Sequence, residues 1–312
     1  MEFKILILGW SNFVQRKVFP SLKANKRIKN ISVASKHLFK KNSDDLDCVY
    51  QNYIEALDRF DGEIIYISAT NQEHDNLLIE SLKRGFHTII DKPAILKEST
   101  KTMIQKQKYR NLLVCEALYF KHHRAWDFVT NYFTNSCLPD MINIDFLIPS
   151  PSESNFRQKF SPISGAIADM GIYVLSSASS FWDNEIKGIS GYQIKNRMGI
   201  SQYFSACIRY KNDKLLTATC GFGFNYKHQI SFSNSKDTIE FQRPFSLPSN
   251  VLPKITKKNS NTEENINLET DNSCVSFFND VLKDLELGII SHHRNNVIVN
   301  FDLLKILDER LS

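Results

Sequence analysis

Three side chains in this sequence combine a transferable proton or a charge with a spacing that restricts where they point. Lys92 stands in TIIDKPAIL, directly after an apolar run and directly before proline. Proline holds the residue before it in extended backbone, so the lysine is fixed at the carboxyl edge of the sheet that the apolar run enters. An ammonium group there can bond to a substrate oxygen and donate a proton as charge builds on it. In GAIADMGIY, Asp169 and Tyr173 are four residues apart and share one face of a helix. A phenol titrates near pH ~10 in isolation, and an ammonium placed beside one lowers that value by favouring phenolate.

A second kind of chemistry is written into ILGWSNFVQRKVFPSLK. An apolar run, a glycine turn and a helical pattern form the entry to a dinucleotide site, where three glycines are usual. Gly9 keeps the first position, Ser11 takes the second and Val14 the third. Ser11 is small enough to leave the backbone amides reachable and can itself donate to a phosphate. Val14 is larger and would push the helix away from the strand. The start of the helix still offers free N–H groups and a positive dipole end to an anion. Gly9, Ser11, Asn12 and Phe13 are therefore the candidate phosphate contacts. The next strand ends VASKH, where an acidic residue would bond the ribose of NAD. Ser35 and Lys36 stand there instead, with Lys40 and Lys41 close behind, and a hydroxyl beside an ammonium suits the 2′-phosphate of NADP. NADP is the expected cofactor, with NAD as the alternative.

Stepping outward, the first third alternates. KILIL, ISVAS, EIIYIS, HTIID and NLLVCEA read as strands buried on both faces, with helical patterns between them. Strand alternating with helix implies a doubly wound parallel sheet, an α/β Rossmann domain over residues 1–120. Beyond it a helix begins near Ala125, a Ser/Pro-rich stretch follows, and Gly191 to Glu240 reads as strands joined by hairpin turns. With no helices between them these strands are expected to be antiparallel. ITKKNSNTEENINLETDN is polar and reads as a loop, and helical patterns close the chain. Residues 121–312 are thus expected to form an α+β domain with an open, mainly antiparallel sheet.

Composition bounds the partners. The 312 residues are 42% hydrophobic and 23% charged, a soluble balance. Lysine and arginine exceed the acids by only five (39 − 34), dispersed along the chain, which argues against nucleic acid. No apolar run is long enough to span a membrane. Six scattered cysteines without a C-x-x-C pair fit reduced thiols, so a cytoplasmic protein is expected. Two HHR runs, at His122–Arg124 and His292–Arg294, lack a carboxylate at helical ligand spacing, and no metal is expected.

In order along nearly the whole chain, these motifs resemble the family of glucose–fructose oxidoreductase, inositol dehydrogenase and the rhizopine-catabolism proteins (Gfo/Idh/MocA). SATNQEH, with Asn71 and His74, is similar to its fourth-strand segment, and DKP to its Glu-Lys-Pro motif with Asp91 replacing glutamate. CEALYFKHH, with Glu116, Lys121 and His123, resembles its segment after strand six; GAIADMGIY resembles its G-x-x-x-D-x-G-x-H/Y helix, and DTIEFQRPF a hairpin of its sheet. The resemblance implies cofactor contacts at Asn71, His74, Asp91 and Glu116, and a helix face with Asp169 and Tyr173 turned toward the nicotinamide and Lys92. It implies hydride transfer between a nicotinamide and a sugar carbonyl or hydroxyl, with a keto-sugar on a nucleotide carrier as substrate. Tyr173 or Lys92 would supply the proton, Asp169 would orient a sugar hydroxyl, and Arg157 and Lys121 would meet the substrate. The family also implies that residues 121–312 bind substrate and offer a dimer surface, in a homo-oligomer, a dimer or tetramer. Two alternatives follow from the departures at Ser11 and Val14: a dinucleotide-binding sensor or assembly protein without catalysis, or a relative that uses bound NAD transiently for non-redox sugar chemistry.

Overall fold

A computed structural model describes residues 2–36, 46–150 and 165–311. The chain divides into two compact units, Met1–Tyr119 with Cys274–Phe301, and Phe120–Ser273 with Asp302–Ser312. A single cut after residue 120 leaves out the return of Cys274–Phe301 to the first unit.

In the first unit, β1 (Phe3–Leu8), β2 (Ile28–Ala34), β3 (Val49–Tyr50), β4 (Ile64–Ile67), β5 (His87–Asp91) and β6 (Val114–Ala117) pair in parallel in the order β3-β2-β1-β4-β5-β6. The interleaved helices are α1 (Phe19–Lys23), α2 (Tyr53–Arg59), α3 (Asn71–Lys83) and α4 (Glu98–Ile104). The run Ile5–Leu8 is inaccessible, as a strand covered on both faces must be. Strand order reverses between β1 and β4, and a doubly wound sheet offers its ligand crevice at the carboxyl ends of the strands there.

The second unit opens with α5 (Arg124–Asn135), β7 (Met141–Ile148) and α6 (Ala166–Ala178), then runs through β8 (Ile186–Lys195), β9 (Ser201–Tyr210), β10 (Leu215–Phe222), β11 (Lys227–Ser233), β12 (Thr238–Gln242), β13 (Lys254–Lys258) and β14 (Glu263–Ile266). Among the described residues these strands make one sheet in the order β14-β13-β12-β11-β7-β10-β9-β8. The hairpin expectation holds for β9–β10 and β11–β12. At the first of these turns Asn212 and Asp213 both take positive φ (58° and 56°), the geometry of a tight hairpin. The mainly antiparallel expectation holds, with one parallel pair: β7 enters between β10 and β11 and lies parallel to β10. The polar stretch expected as a loop is also a hairpin, β13–β14, turned by Asn259, whose Oδ1 accepts from the N–H groups of Asn261 and Thr262 at 2.9 Å each. Its polarity suits an edge pair that meets solvent.

The chain ends in α7 (Ser273–Leu287) and α8 (Ser291–Arg310). Phe277, Phe278, Val281 and Leu282 of α7 pack with Ile5, Tyr66 and Cys115 on one face of the parallel sheet. Val297 of α8, with Ile298 and Phe301, packs with Leu6, Ile65 and Ile90 on the other. Each fully buried apolar side chain of this size contributes about 1.5–3 kcal/mol.

Candidate active site

At the end of β1, Gly9 adopts φ +107°, and a Cβ built on it would lie 2.5 Å from the carbonyl oxygen of Ser68. Only glycine lets the ends of β1 and β4 approach this closely. Ser11 then caps the following helical turn, its Oγ accepting from the N–H of Val14 at 3.2 Å and its carbonyl from that of Gln15 at 3.0 Å. Val14 is fully buried, and the helix runs as a wide π-turn over Val14–Val18 before α1. The wider turn makes room for a side chain where the usual loop has glycine. Ser11, Asn12 and Phe13 are exposed around it. A glycine with no room for a Cβ, exposed neighbours and the start of a helix at Asn12 and Phe13 fit the phosphates of a dinucleotide.

Lys92 leaves β5 in a turn held by buried polar groups, with a cis peptide to Pro93. His74, fully buried on α3, sets Nδ1 at 2.9 Å from the Pro93 carbonyl and Nε2 at 3.2 Å from that of Ala69. Glu116 of β6 accepts from the N–H of Ala94 at 2.8 Å and from the amide of Asn300 at 2.6 Å. Asp75 accepts from the N–H groups of Leu96 and Lys97, each at 3.3 Å. His74 and Glu116, expected as cofactor contacts, therefore have their polar atoms engaged in positioning the lysine turn. Asp91 points inward: Tyr66 donates to one of its oxygens and Ser68 to the other at 2.5 Å. Burial raises its pKa against the pull of those two donors. Tyr66 also meets the hydroxyl of Tyr119 at 2.5 Å. Asn71 is the first residue of α3, beside the Ser68–Thr70 turn that Gly9 touches.

At the end of β2, Ser35 is buried and its N–H donates to the carbonyl of Tyr50 at 2.9 Å. Lys36 is exposed, lies over the ring of Tyr53 at 5.2 Å and pairs with Glu73. Lys40 and Lys41 lie outside the described residues, as does Arg157.

In the second unit, Gly165 (φ +98°) opens α6 against Ser201, and Asp169 and Tyr173 stand half-buried one turn apart. Tyr173 sits in an aromatic nest. Phe245 stacks on it (5.0 Å, 22°), while Phe120 and Phe146 meet it edge-on, each at 5.7 Å. Phe146 in turn stacks on His228 (4.2 Å, 16°). Burial, with the charge of Arg243 beside it, pushes the His228 pKa down to about 3. Lys121 lies half-buried in the short turn Tyr119–His122, next to Phe120.

Several of these residues escaped the sequence reading: Asp75, Asn300, Phe245 and His228. Each acts across long sequence separations, which periodicity does not reveal. The second histidine pair also differs from expectation. His292 and His293 lie in α8, and α7 supplies the carboxylate: Asp284 Oδ2 is 3.5 and 3.1 Å from their Nε2 atoms. The nitrogens and that oxygen lie within 4.8 Å of one another, and Cys115 Sγ meets His293 Nδ1 at 3.4 Å.

Two curated relatives are dTDP-3,4-didehydro-2,6-dideoxy-alpha-D-glucose 3-reductases. That of Streptomyces violaceoruber is 23% identical over 84% of this chain and 80% of its own length. That of Streptomyces antibioticus is 20% identical over 93% and 92%. In fold the chain superposes on a 3-ketoreductase from Actinomadura kijaniata, solved with NADP and TDP-benzene, with a TM-score of 0.91 at 16% identity over 99% of this chain and 98% of that one. Residues 3–116, which hold the Gly9 turn and the Lys92 turn, match the oxidoreductase family with an NAD-binding Rossmann fold (GFO_IDH_MocA).

Proposed function

We propose that this chain is an NADP-dependent reductase acting on the ketone of a nucleotide-linked sugar. The observation that carries the reading is that both Streptomyces relatives, matched over 80% and 92% of their lengths, are 3-reductases of a dTDP-linked didehydro sugar, and the Actinomadura kijaniata 3-ketoreductase was solved with NADP. The site residues agree with it: a lysine on a clamped turn and an Asp–Tyr pair on one helix face are what carbonyl reduction needs.

The Gly9–Phe13 turn receives the pyrophosphate, and Ser35 with Lys36 receives the 2′-phosphate. When bound, the nicotinamide supplies the hydride to the carbonyl carbon. Tyr173 or Lys92 then gives a proton to the carbonyl oxygen, while Asp169 accepts from a sugar hydroxyl and orients the ring. The Glu73 pairing holds Lys36 in place but offsets part of its charge, so its share of NADP selectivity is moderate. The reading extends to a cytoplasmic homo-oligomer. Tyr192, Ile194 and Tyr203 are exposed on the outer face of β8–β9, and a second copy would find an apolar surface there. No helix among the described residues is long and apolar enough to cross a membrane.

Fluorescence titration with NADPH and NADH, followed by NADPH oxidation with a dTDP-linked 3-keto-sugar, tests the proposal. Tight NADPH binding and turnover that needs the nucleotide are expected. Binding of neither dinucleotide, or reduction of free sugars at the same rate, would end it.

A further inference from the structure

We infer that Arg243, together with Tyr226 and Ser246, forms the patch that grips the diphosphate of the substrate. This rests on the nucleotide-linked reading above. Arg243 follows β12 and precedes Pro244, and its backbone is left-handed at φ +57°. A non-glycine residue in that conformation is strained, and glycine would avoid the strain. What arginine adds for that cost is its guanidinium. The group has no carboxylate partner among the described residues, lies over the ring of Tyr226 at 5.4 Å, and has a buried Nε without a hydrogen-bond partner. A half-buried cation with an unused donor calls for an anionic acceptor.

The neighbouring hydrogens point the same way. The N–H of Phe245 donates to His228 Nε2 at 3.3 Å, so the ring proton of the neutral imidazole is on Nδ1. That Nδ1 faces Tyr226 Oη at 3.1 Å and Ser246 Oγ at 3.3 Å, and the two oxygens are 3.4 Å apart. The triangle holds three protons and only two acceptors, so at least one hydroxyl proton must go to an acceptor outside it. Arg243 adds its own donors at the rim, where Tyr226 and Ser246 are exposed. A surplus of donors beside a fork-shaped cation is the chemistry of phosphate recognition.

The patch is also linked to the proposed proton donor. His228 lies 5.1 Å from Phe245, and Phe245 stacks on Tyr173. Two ring contacts thus join the phosphate patch to the reacting end, as a sugar joins its anomeric phosphate to its ketone. This arginine is a separate position from Arg157.

The test uses the full chain and two variants. Arg243→Gly removes the guanidinium while suiting the left-handed backbone, so it should melt no lower than the wild type. Arg243→Lys keeps the charge without the fork. Calorimetric titration with dTDP, UDP, GDP and CDP is run beside titration with NADPH. Expected is a fall of about 10- to 100-fold in affinity for the bound nucleoside diphosphate in Arg243→Gly, a smaller fall in Arg243→Lys, and unchanged NADPH binding. Equal diphosphate affinity in all three proteins overturns the inference and leaves the reductase proposal standing. Loss of NADPH affinity instead overturns it by giving the arginine to the cofactor. If the wild type binds NADPH but none of the four diphosphates, both the inference and the nucleotide-linked substrate fall.

Discussion

The turn that carries Lys92 and the helix face that carries Tyr173 belong to different units and are held by different forces. Around Lys92 the neighbours are buried polar groups, His74, Glu116, Asp75 and Asn300, each spending its hydrogen bonds on the backbone or on one another. Around Tyr173 they are rings: Phe245, Phe120 and Phe146, backed by His228. Hydrogen bonds fix direction and are costly to leave half made. Ring packing fixes position, yet tolerates a change of shape with a modest loss. The lysine turn should therefore fail abruptly on mutation and the tyrosine nest gradually.

The largest expected effect separates chemistry from packing. Tyr173→Phe keeps the rings in place and removes the proton, so turnover should drop about 10²- to 10⁴-fold with the melting temperature and NADPH affinity unchanged. A variant that loses stability as well would mean that the hydroxyl belongs to the scaffold. Next is the polar clamp. Glu116→Ala leaves the Ala94 N–H and the Asn300 amide buried without an acceptor, a loss of about 2–5 kcal/mol by urea unfolding. Stability equal to the wild type would break the contrast between the two regions.

Acid probes the ring side. His228 is neutral in the fold, with a pKa lowered from 6.5 to about 3. The unfolded chain binds a proton there that the folded chain refuses, so this group's contribution is complete above 6.5 and is lost as pH falls toward 3. Between about pH 7.5 and about pH 5 it should remove about 2 kcal/mol from the wild type, and His228→Gln should not show that share of the loss. The wild type itself is the reference, because burial lowers the pKa of His87 and His123 too. Parallel pH curves would show that His228 is not the proton acceptor. The smallest effect is Phe245→Leu, expected to cost about 1 kcal/mol and to slow turnover while the Km for NADPH stays fixed.

Much of the fold was legible because its signals are local. Apolar runs of strand length, the glycine at residue 85 that stops α3, and the four-residue spacing of Asp169 and Tyr173 all lie within a few residues of what they determine. The failures have physical reasons. β3 is two residues long, too short for a periodicity, and β13–β14 is polar because an edge hairpin faces water. β7 was readable in principle: Ile142, Ile144 and Phe146 alternate into the core, but a parallel neighbour of β10 arriving from before α6 breaks the hairpin logic. Of the site, the residue types could be named from spelling, whereas their duties could not. His74 and Glu116 look like ligand contacts until Pro93, Ala94 and Asn300, the last 184 residues from Glu116, are found beside them.

The return of the chain to its first sheet also governs how the protein is born. Phe277, Phe278, Val281 and Leu282 complete one face of that sheet, Val297 the other, and Asn300 the grip on Glu116. On the ribosome the strands from Phe3 to Ala117 emerge early, yet neither face can close until synthesis has passed Ser273. The first unit is thus translated before the segment that completes it. Its nascent sheet must be kept from other sticky surfaces until that segment arrives, and a chain truncated before Ser273 should not close its parallel sheet.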